Sequence, residues 1–442
     1  MRKLRILSLV VVLSLTAVVL SGCRGGKNAP TLQWLSGFSG TGWDSFAALD
    51  RAGSDFYAVG FTDSSDGDMT ELYQHGQSDA LLVRMDKKGQ KVYSTAFGGS
   101  DNDVFNDVAA RKGAPLAAGY TNSSDGDAQV ISPQGEMDAL LVSFDKKGAP
   151  VWVASFGGSG NDVFQALAET SDGGSVAVGR TSSSDGHFAS LETYGNYDAF
   201  IVKYDSKGTA LWASCFGGSG WDEFTDVART RDGGYIAVGF TQSSDGLLQG
   251  ITDGQSRDAL IVKYDSEGRM DWCHTFGGSD IDQFQAVAVL PDGFAAVGLS
   301  QSEDGDMSQS YSAGEEGVVV KFSLTGVQQW LCPLSGTGND RCTSVAVSGK
   351  EIVVGGYTSS TDLSFDGVES KGGYEAFVYR ISSEGDPIWR TEMGSTGWDQ
   401  ITDLTTLSGA GFAAVGYINQ ADGDFSSMDA LGDQEAFLAK FG

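Results

Sequence analysis

Hydrophobic and polar positions alternate along this chain in short runs that are typical of β-strands. Within residues 211–264 the runs are separated by polar segments, Arg231–Gly234 and Asp265–Gly268 among them, that are short enough for hairpins. Glycine supplies the positive φ that such turns need. We therefore predict four antiparallel strands in this stretch: Leu211–Phe216, Phe224–Thr230, Tyr235–Thr241 and Asp258–Tyr264.

The four-strand pattern repeats seven times. An aromatic residue, followed four residues later by an apolar one, recurs every 58 to 60 residues at Trp34, Tyr93, Trp152, Trp212, Trp272, Trp330 and Trp389. A constant repeat length without atypical terminal units favours a closed ring over an open solenoid, which needs capping repeats. The predicted fold is an all-β, seven-bladed β-propeller over residues 31–442, with four antiparallel strands per blade.

The two ends of the repeat region predict how the ring closes. The first strand signal, Thr31–Phe38, has no blade of its own, and the last unit, Gln400–Phe441, lacks its outermost strand. We therefore predict that the N-terminal strand completes the last blade. Residue 34 should then lie close to residue 438.

The segment before the repeats predicts export from the cytoplasm. Arg2, Lys3 and Arg5 precede an apolar run, Leu7–Leu20, which is short for a membrane-spanning helix. A basic head, an apolar middle and a small-residue exit are typical of a secretory signal, here residues 1–22. An uncleaved anchor helix is the alternative, and it also places the body outside the cytoplasm.

Leu20-Ser21-Gly22-Cys23 resembles the lipobox of bacterial lipoproteins. The resemblance implies cleavage before Cys23, a diacylglyceryl thioether on its sulfur and an acylated amino terminus. Several acyl chains hold a protein firmly to a membrane. We expect a lipid-anchored cell-envelope protein in which residues 23–30 form a short flexible tether.

Three recurring motifs carry a second resemblance. Phe-Gly-Gly-Ser-Gly-x-Asp, Asp-Gly-Gly-x-x-Ala-Val-Gly-x-Thr-x-Ser-Ser-Asp-Gly and Asp-Ala-x-x-Val-Lys-x-Asp are similar to the bacterial extracellular seven-bladed β-propeller repeat (SBBP-type) family. The likeness covers residues 31–442, and units five to seven depart from it, as in 334–338 and 393–397. It implies the propeller fold and an extracellular setting, but it implies little about function.

The charge of the chain bears on its partners. It has 58 acidic and 29 basic residues, for a formal net charge of −29 at pH 7. Binding of phosphate backbones needs a basic surface, so we expect no nucleic-acid partner. We expect a monomer.

Comparison of the seven units separates repeated from variable positions. An aspartate always precedes the innermost strand, and two residues later stands a predicted interblade core position occupied by Phe, Cys342 or Ile401. The aspartates either form a carboxylate ring at the channel mouth or accept N–H bonds from their own glycine-rich turns. They are Asp44, Asp103, Asp162, Asp222, Asp282, Asp340 and Asp399.

A second repeated aspartate stands in each Thr-x-Ser-Ser-Asp-Gly segment, and in four units another aspartate follows two residues later. Closely spaced oxygens on a turn are able to ligate Ca²⁺. The segment is not the twelve-residue calcium loop, and an Asp-Gly turn that opens a long loop is the alternative. The candidate metal ligands are Asp66, Asp68, Asp125, Asp127, Asp304, Asp306, Asp422 and Asp424.

The residue before the first repeated aspartate varies between Trp, Asn and Ile. In a propeller this connection emerges on the same face as the long loops, such as Gly67–Ser78 and Gly246–Arg257. Exposed Trp beside Asn suits sugar or peptide binding, whereas Trp wedged between blades is the packing alternative. The candidate ligand-binding residues are Trp43, Trp221, Trp398, Asn102, Asn161 and Asn339.

The remaining chemistry-bearing residues indicate no catalytic motif. Cys332 and Cys342 could form a disulfide bond in an exported protein, but a buried free thiol is the preferred interpretation for Cys342. No zinc spacing, nucleophile elbow or phosphate loop occurs. The leading hypothesis is a noncatalytic binding or scaffold module for a glycan or protein. The alternatives are a secreted carbohydrate-active enzyme with carboxylates at the channel mouth, and a purely structural surface protein.

Overall fold

The structure is a computed structural model that describes residues 29–72, 76–131, 133–252, 254–308, 314–429 and 431–442. The described residues form seven four-stranded antiparallel sheets in a ring, as predicted. The signal segment 1–22, Cys23 and most of the tether lie outside the described residues.

The sheets are blades I to VII, and within blades I to VI the strands follow chain order from the channel outward. Blade VII contains the first strand, β1, Leu32–Phe38, beside the last three. The other strands are, in blade I, β2–β5 (Asp44–Ala52, Asp55–Thr62, Asp79–Met85, Lys91–Phe97); in blade II, β6–β9 (Asp103–Ala109, Leu116–Thr121, Asp138–Phe144, Pro150–Phe156); in blade III, β10–β13 (Asp162–Glu169, Ser175–Thr181, Asp198–Tyr204, Ala210–Phe216); in blade IV, β14–β17 (Asp222–Arg229, Tyr235–Thr241, Asp258–Tyr264, Met270–Phe276); in blade V, β18–β21 (Asp282–Leu290, Gly293–Ser300, Glu316–Ser323, Gln328–Leu334); in blade VI, β22–β25 (Asp340–Ser348, Glu351–Thr358, Glu375–Ile381, Pro387–Met393); and in blade VII, β26–β28 (Asp399–Thr406, Phe412–Ile418, Glu435–Phe441).

Ring closure follows the prediction. β1 pairs antiparallel with β28, with Trp34 opposite Lys440 and Ser36 opposite Leu438. Thr31 and Gly442 exchange two backbone hydrogen bonds of 3.3 and 3.0 Å. The N-terminal strand is therefore the outermost strand of blade VII, and the chain enters the ring beside its own last residue.

Apolar side chains between neighbouring blades make up the core. The predicted interblade position, two residues after the turn aspartate, is buried in every blade: Phe46, Phe105, Phe164, Phe224, Phe284, Cys342 and Ile401. The described chain contains no disulfide bond between Cys332 and Cys342. Since interblade packing repeats, each blade depends on both of its neighbours.

The long loops between the second and third strands contribute to this core, which the strand pattern does not predict. A short 3₁₀ turn follows each Asp-Gly pair or its equivalent and directs one residue inward, always fully buried: Met69, Ala128, Phe188, Leu248, Met307, Phe365 and Phe425. The 3₁₀ segments of these loops are Gly67–Met69, Gly126–Val130, Gly186–Phe188, Gly246–Leu248, Gly305–Met307, Leu363–Phe365 and Gly423–Phe425. A further 3₁₀ segment, Arg111–Gly113, joins the first two strands of blade II.

The repeated aromatic residue on each outermost strand packs against the next blade. Trp152 of blade II lies beneath the hairpin glycine of blade III, Gly208, where a Cβ atom would approach the indole to 2.6 Å. Gly208 also has a φ of +82°, so both the turn and the close approach require glycine. The regular spacing of the aromatic residues is thereby explained as blade-to-blade packing at the rim.

Candidate functional site

The aspartate that begins each innermost strand is buried and anchors its own turn. In blade I, Asp44 is 0% exposed and accepts hydrogen bonds from Gly40 N–H at 2.8 Å and from the Thr62 and Ser64 hydroxyls at 2.5 and 2.9 Å. The turn N–H bond recurs in the other six blades, at Asp103, Asp162, Asp222, Asp282, Asp340 and Asp399. The seven carboxylates are buried and bonded within their own turns, so they do not form an exposed ring at the channel mouth. This geometry corresponds to the turn alternative.

The Asp-Gly loops also turn their carboxylates toward the backbone. Oδ1 of Asp66 accepts the N–H of Thr41 at 2.7 Å, and the first aspartates of the three other candidate pairs, Asp125, Asp304 and Asp422, make equivalent bonds. Among the second aspartates, Asp68, Asp306 and Asp424 accept backbone N–H bonds, and Asp127 occupies the same position in blade II.

These contacts bear directly on the calcium prediction. Over the described ranges, no group of three or more His, Cys, Asp or Glu side chains is arranged to hold a metal ion. The eight candidate carboxylates are spread over four blades, and seven of them accept a backbone N–H bond on one oxygen. These bonds are those of the turn alternative, and the calcium site stays a prediction.

Polar side chains on the innermost strands connect neighbouring blades along the channel. In blade IV, Thr225 donates to the carbonyl oxygen of Phe284 at 2.8 Å. Asp226 accepts the N–H of Val287 at 2.7 Å, again in blade V. Thr402 and Asp403 of blade VII make the corresponding two bonds to blade I. Asp107 of blade II accepts a backbone N–H from blade III in the same way as Asp226 does from blade V.

These channel carboxylates affect one another. Burial, together with the charge of Asp403, raises the pKa of Asp226 to about 7, while backbone N–H bonds oppose the rise. Burial likewise raises the pKa of Asp403 to about 6, and it raises the pKa of Asp107 well above its usual range. The channel therefore contains carboxyl groups that take up protons near neutral pH.

One face of the ring carries both the variable residues and the long loops, as predicted, and we call it the loop-bearing face. On it, isolated parallel bridges join the residue before a turn aspartate to the residue before the third strand of the preceding blade. The pairs are Trp43 with Gln434, Asn102 with Ser78, Asn161 with Met137, Trp221 with Tyr197 and Trp398 with Tyr374.

Trp398 belongs to an aromatic cavity between blades VI and VII, the Trp398 pocket. Its volume is 250 Å³, and its lining residues are Tyr357, Tyr374, Trp398, Asp399, Gln400 and Tyr417. The rings of Tyr374 and Trp398 lie edge to face at 5.2 Å, and those of Tyr357 and Tyr374 at 5.0 Å. Trp398 is 58% exposed, so its ring remains available to a ligand.

Polar atoms border the Trp398 pocket. The Tyr417 hydroxyl donates to Oε1 of Gln400 at 3.0 Å, and the amide of Asn339 donates to the Tyr374 hydroxyl at 3.3 Å. Burial, with the charges of Glu375 and Asp422, raises the pKa of Asp399 to about 7. Asn339 and Trp398, two predicted residues, are thus connected through Tyr374.

Trp221 occupies the equivalent position between blades III and IV, where it is half-buried and lines a cavity of 230 Å³. We call Tyr197, Trp221, Glu223, Phe240 and Arg257 the Trp221 cluster. The guanidinium of Arg257 lies 4.1 Å from the centre of the Phe240 ring and 5.5 Å from that of Trp221. The indole N–H of Trp221 donates to Glu223 at 3.2 Å. Trp221 therefore makes packing contacts with its neighbours, and its ligand-binding role stays a prediction.

The other predicted residues make fewer contacts with the Trp398 pocket and the Trp221 cluster. Trp43 is 54% exposed, and its backbone N–H bonds Asp63, but within the described chain its ring joins neither aromatic group. Asn161 donates to the Tyr197 hydroxyl at 3.4 Å, which places it beside the Trp221 cluster. Asn102 accepts a backbone bond from Asn122 through its carbonyl oxygen. The six candidates thus form two connected groups and two separate residues.

The sequence analysis missed the residues that complete these groups. Tyr197, Arg257 and Tyr374 stand directly before the Asp or Glu that opens the third strand. That position varies among the seven units as much as the Trp/Asn position does, and comparing it would have drawn attention to them. Tyr357 and Tyr417, on second strands, carry no comparable signal because aromatic residues are common in strands.

The described part of the chain contains no helix long and apolar enough to cross a membrane.

Fold and site together define a seven-bladed β-propeller with a rigid scaffold and a variable, aromatic loop-bearing face. Such a scaffold suggests a binding or scaffold role, because loops positioned by a rigid body commonly carry function.

The chain is similar to known proteins at low sequence identity. No family model matches the chain. It is 23% identical over 391 residues to the regulatory protein FlaEY of Caulobacter vibrioides, a match that covers 80% of this chain and 40% of that protein. It is 27% identical over 146 residues to an uncharacterized WD repeat-containing protein of Acanthamoeba polyphaga mimivirus, covering 29% of this chain and 10% of that protein. The chain thus spans well under half the length of both relatives.

Solved structures with a similar course of the chain were also found. The WD40 β-propeller domain of Doa1 is 13% identical, with a TM-score of 0.48 and coverage of 93% of this chain and 97% of that domain. BamB from Moraxella catarrhalis is 13% identical, with a TM-score of 0.40 and coverage of 89% and 84%. Membership of the extracellular propeller-repeat family stays a prediction.

Proposed function

We propose that this protein is a noncatalytic binding or scaffold module whose loop-bearing face takes a protein or a glycan. One observation supports the proposal most directly. Positions that differ between units come together as the Trp398 pocket, whereas the repeated carboxylates are used in turns. Exposed Trp and Tyr are the side chains that most often carry binding energy at interfaces.

We further propose that the chain is a monomer held outside the cytoplasm by a lipid on Cys23. The basic head, apolar run and Leu-Ser-Gly-Cys exit support this. Labelling cells with a palmitate analogue tests it: the wild type should carry label and sediment with membranes, and Cys23→Ser should do neither. Label on the variant would reject the lipid site.

Site-specific photo-crosslinking tests the binding role. A photoreactive amino acid at Trp43, on the loop-bearing face, should capture a partner in intact envelopes. The matched position is Lys87, in the hairpin that joins β4 to β5 on the other face, and it should capture nothing specific. Adducts from Lys87 alone would contradict the proposal, and absence of adducts at both would favour the purely structural alternative.

The carbohydrate-active enzyme remains the second candidate, and geometry weighs against it. Glycoside hydrolysis needs two carboxyl groups that face the substrate. The seven turn carboxylates are 0% exposed and bonded to their turns. Incubation with cell-wall polysaccharide should release no reducing sugar, and release that an Asp399→Asn variant abolishes would establish the enzyme instead.

A further inference from the structure

Blades IV and VII carry the same aromatic arrangement on the loop-bearing face. Trp221 corresponds to Trp398, since each precedes the turn aspartate of its blade. Tyr197 and Tyr374 are their respective bridge partners, and Phe240 corresponds to Tyr417 opposite the second residue of the innermost strand. The two sites are therefore internal copies of one aromatic frame.

The two frames differ in whether a cation lies on the tryptophan itself. In blade IV the residue before the third strand is Arg257, whose guanidinium lies on Phe240 and Trp221 and whose Nη1 donates to Gln283 at 2.8 Å. In blade VII the corresponding residue is Gln434, which has no positive charge. In the described residues the Trp398 pocket thus has a guanidinium on its Tyr357 wall, that of Arg341, but none on the tryptophan, where Arg257 lies in the blade IV copy.

The charges near the Trp398 pocket favour a cation from outside. The two long loops beside it, residues 359–374 and 419–434, contain seven carboxylates and one lysine, Lys371. The lysine forms an ion pair with Asp424. The guanidinium of Arg341 lies 5.8 Å from the centre of the Tyr357 ring, and its ion pair with Glu315 compensates its charge. A chain of net charge −29 adds long-range attraction for a basic partner.

We propose that the Trp398 pocket binds an arginine side chain from a basic segment of a partner protein, in the position that Arg257 takes in the blade IV copy. The inference rests on the proposed binding function and specifies its partner. Arginine is favoured over lysine because the planar guanidinium stacks on aromatic faces and is weakly hydrated. A sugar would instead use the same rings without needing positive charge.

The test uses full-length protein in detergent and three blocked peptides of equal length: hexa-arginine, hexa-lysine and hexa-citrulline. Titration calorimetry at physiological salt should show hexa-arginine binding more tightly than hexa-lysine, and no binding of hexa-citrulline. Trp398→Ala should weaken hexa-arginine binding about 5- to 30-fold, the effect of losing one desolvated cation–π contact. Leu211→Ala, which removes an equally exposed apolar side chain on the outermost strand of blade III, should leave the affinity unchanged.

A second pair of variants distinguishes binding in the Trp398 pocket from nonspecific attraction to an acidic protein. Gln434→Arg places a guanidinium where Arg257 lies in blade IV, so it should fill the pocket and weaken binding about as much as Trp398→Ala. Arg257→Gln should open the Trp221 cluster and add a second, weaker site. Melting curves of each variant show whether it is folded.

Wild-type affinity in both Trp398→Ala and Gln434→Arg would overturn the inference, as would equal affinity for hexa-arginine and hexa-lysine. Binding of a neutral tetrasaccharide that Trp398→Ala abolishes would overturn it in favour of a glycan. The photo-crosslinking experiment tests the binding function separately. If the probe at Trp43 captures a partner, the proposed binding function is retained even when the arginine proposal fails.

Discussion

Blades IV and VII show how one repeat serves two purposes. Their innermost strands begin alike, Trp221-Asp222 and Trp398-Asp399, and both contain the Thr-Asp pair that bonds the next blade. They differ at the mouth, where blade IV has Glu223 and Arg257 and blade VII has Gln400 and Gln434. Buried positions thus maintain the ring, and a few exposed differences decide whether an aromatic frame is covered or open.

The largest expected effect comes from removing the two tryptophans. Trp221→Ala should lower the free energy of unfolding by about 2 kcal/mol or more, because the indole packs against Tyr197, Phe240 and Arg257. Trp398→Ala should cost less than about 1 kcal/mol because that side chain is mostly exposed. Guanidinium denaturation measures both, and equal losses would remove the distinction between covered and open frames.

The channel carboxylates should behave alike in both blades. The pKa of Asp226 is raised to about 7 and that of Asp403 to about 6, so the folded protein retains protons that the unfolded chain releases above about pH 4. Their contribution to stability is fully present below about pH 4 and is lost as the pH rises to 7. Stability should therefore increase from pH 8 to pH 5.

Asn variants identify the groups responsible for that slope. Asp226→Asn and Asp403→Asn should each flatten the change in denaturation midpoint between pH 8 and pH 5, with Asp226→Asn acting over the higher part of the range. The control is Asp265→Asn, a half-buried hairpin aspartate outside the channel whose pKa is lowered by the N–H bonds of its own turn. An unchanged slope in both channel variants would show that other carboxyl groups dominate.

A smaller effect should follow from exchanging the residues before the third strands. Arg257→Gln should cost about 1 kcal/mol, since it removes a cation–π contact and a hydrogen bond to Gln283. Fluorine NMR of protein labelled with 5-fluorotryptophan should show Trp221 becoming more solvent-exposed. Gln434→Arg should shift the Trp398 signal in the opposite sense, and absence of both shifts would mean that the two frames are not equivalent.

The smallest effect is expected from calcium. Blade IV has one aspartate in its Asp-Gly loop, Asp245, whereas blade VII has Asp422 and Asp424. Backbone N–H groups bond the carboxylates of all three. Melting in millimolar calcium and then in chelator should give the same midpoint, and a calcium-dependent rise lost in Asp424→Ala would restore the metal interpretation.

The architecture could be predicted because repetition multiplies weak signals. A single run such as Tyr235–Thr241 is ambiguous, but seven copies with matching turns define blades, and the unpaired strand Thr31–Phe38 defines closure. The inward residues of the 3₁₀ turns, such as Met69 and Leu248, could not be predicted because they stand alone in polar loops. Thr225 and Asp226 resemble ordinary polar strand residues until the next blade is placed beside them.

The candidate site was predicted in part, for a related reason. Trp398 and Asn339 were found as departures from the repeat, which is where a specific function can reside. Their connection through Tyr374 depends on contact between adjacent blades, and no pattern along one strand records such contact. The covering of Trp221 likewise depends on Arg257, which lies 36 residues farther along the chain.

The pairing of β1 with β28 has a consequence for assembly. Residues 31 and 442 meet across 411 positions of sequence, and the entropic cost of closing a loop grows only with the logarithm of its length. The first strand to leave the ribosome nevertheless has to remain unpaired until the last has been made. During that interval it presents an open edge, which makes the newly synthesised chain dependent on protection from aggregation.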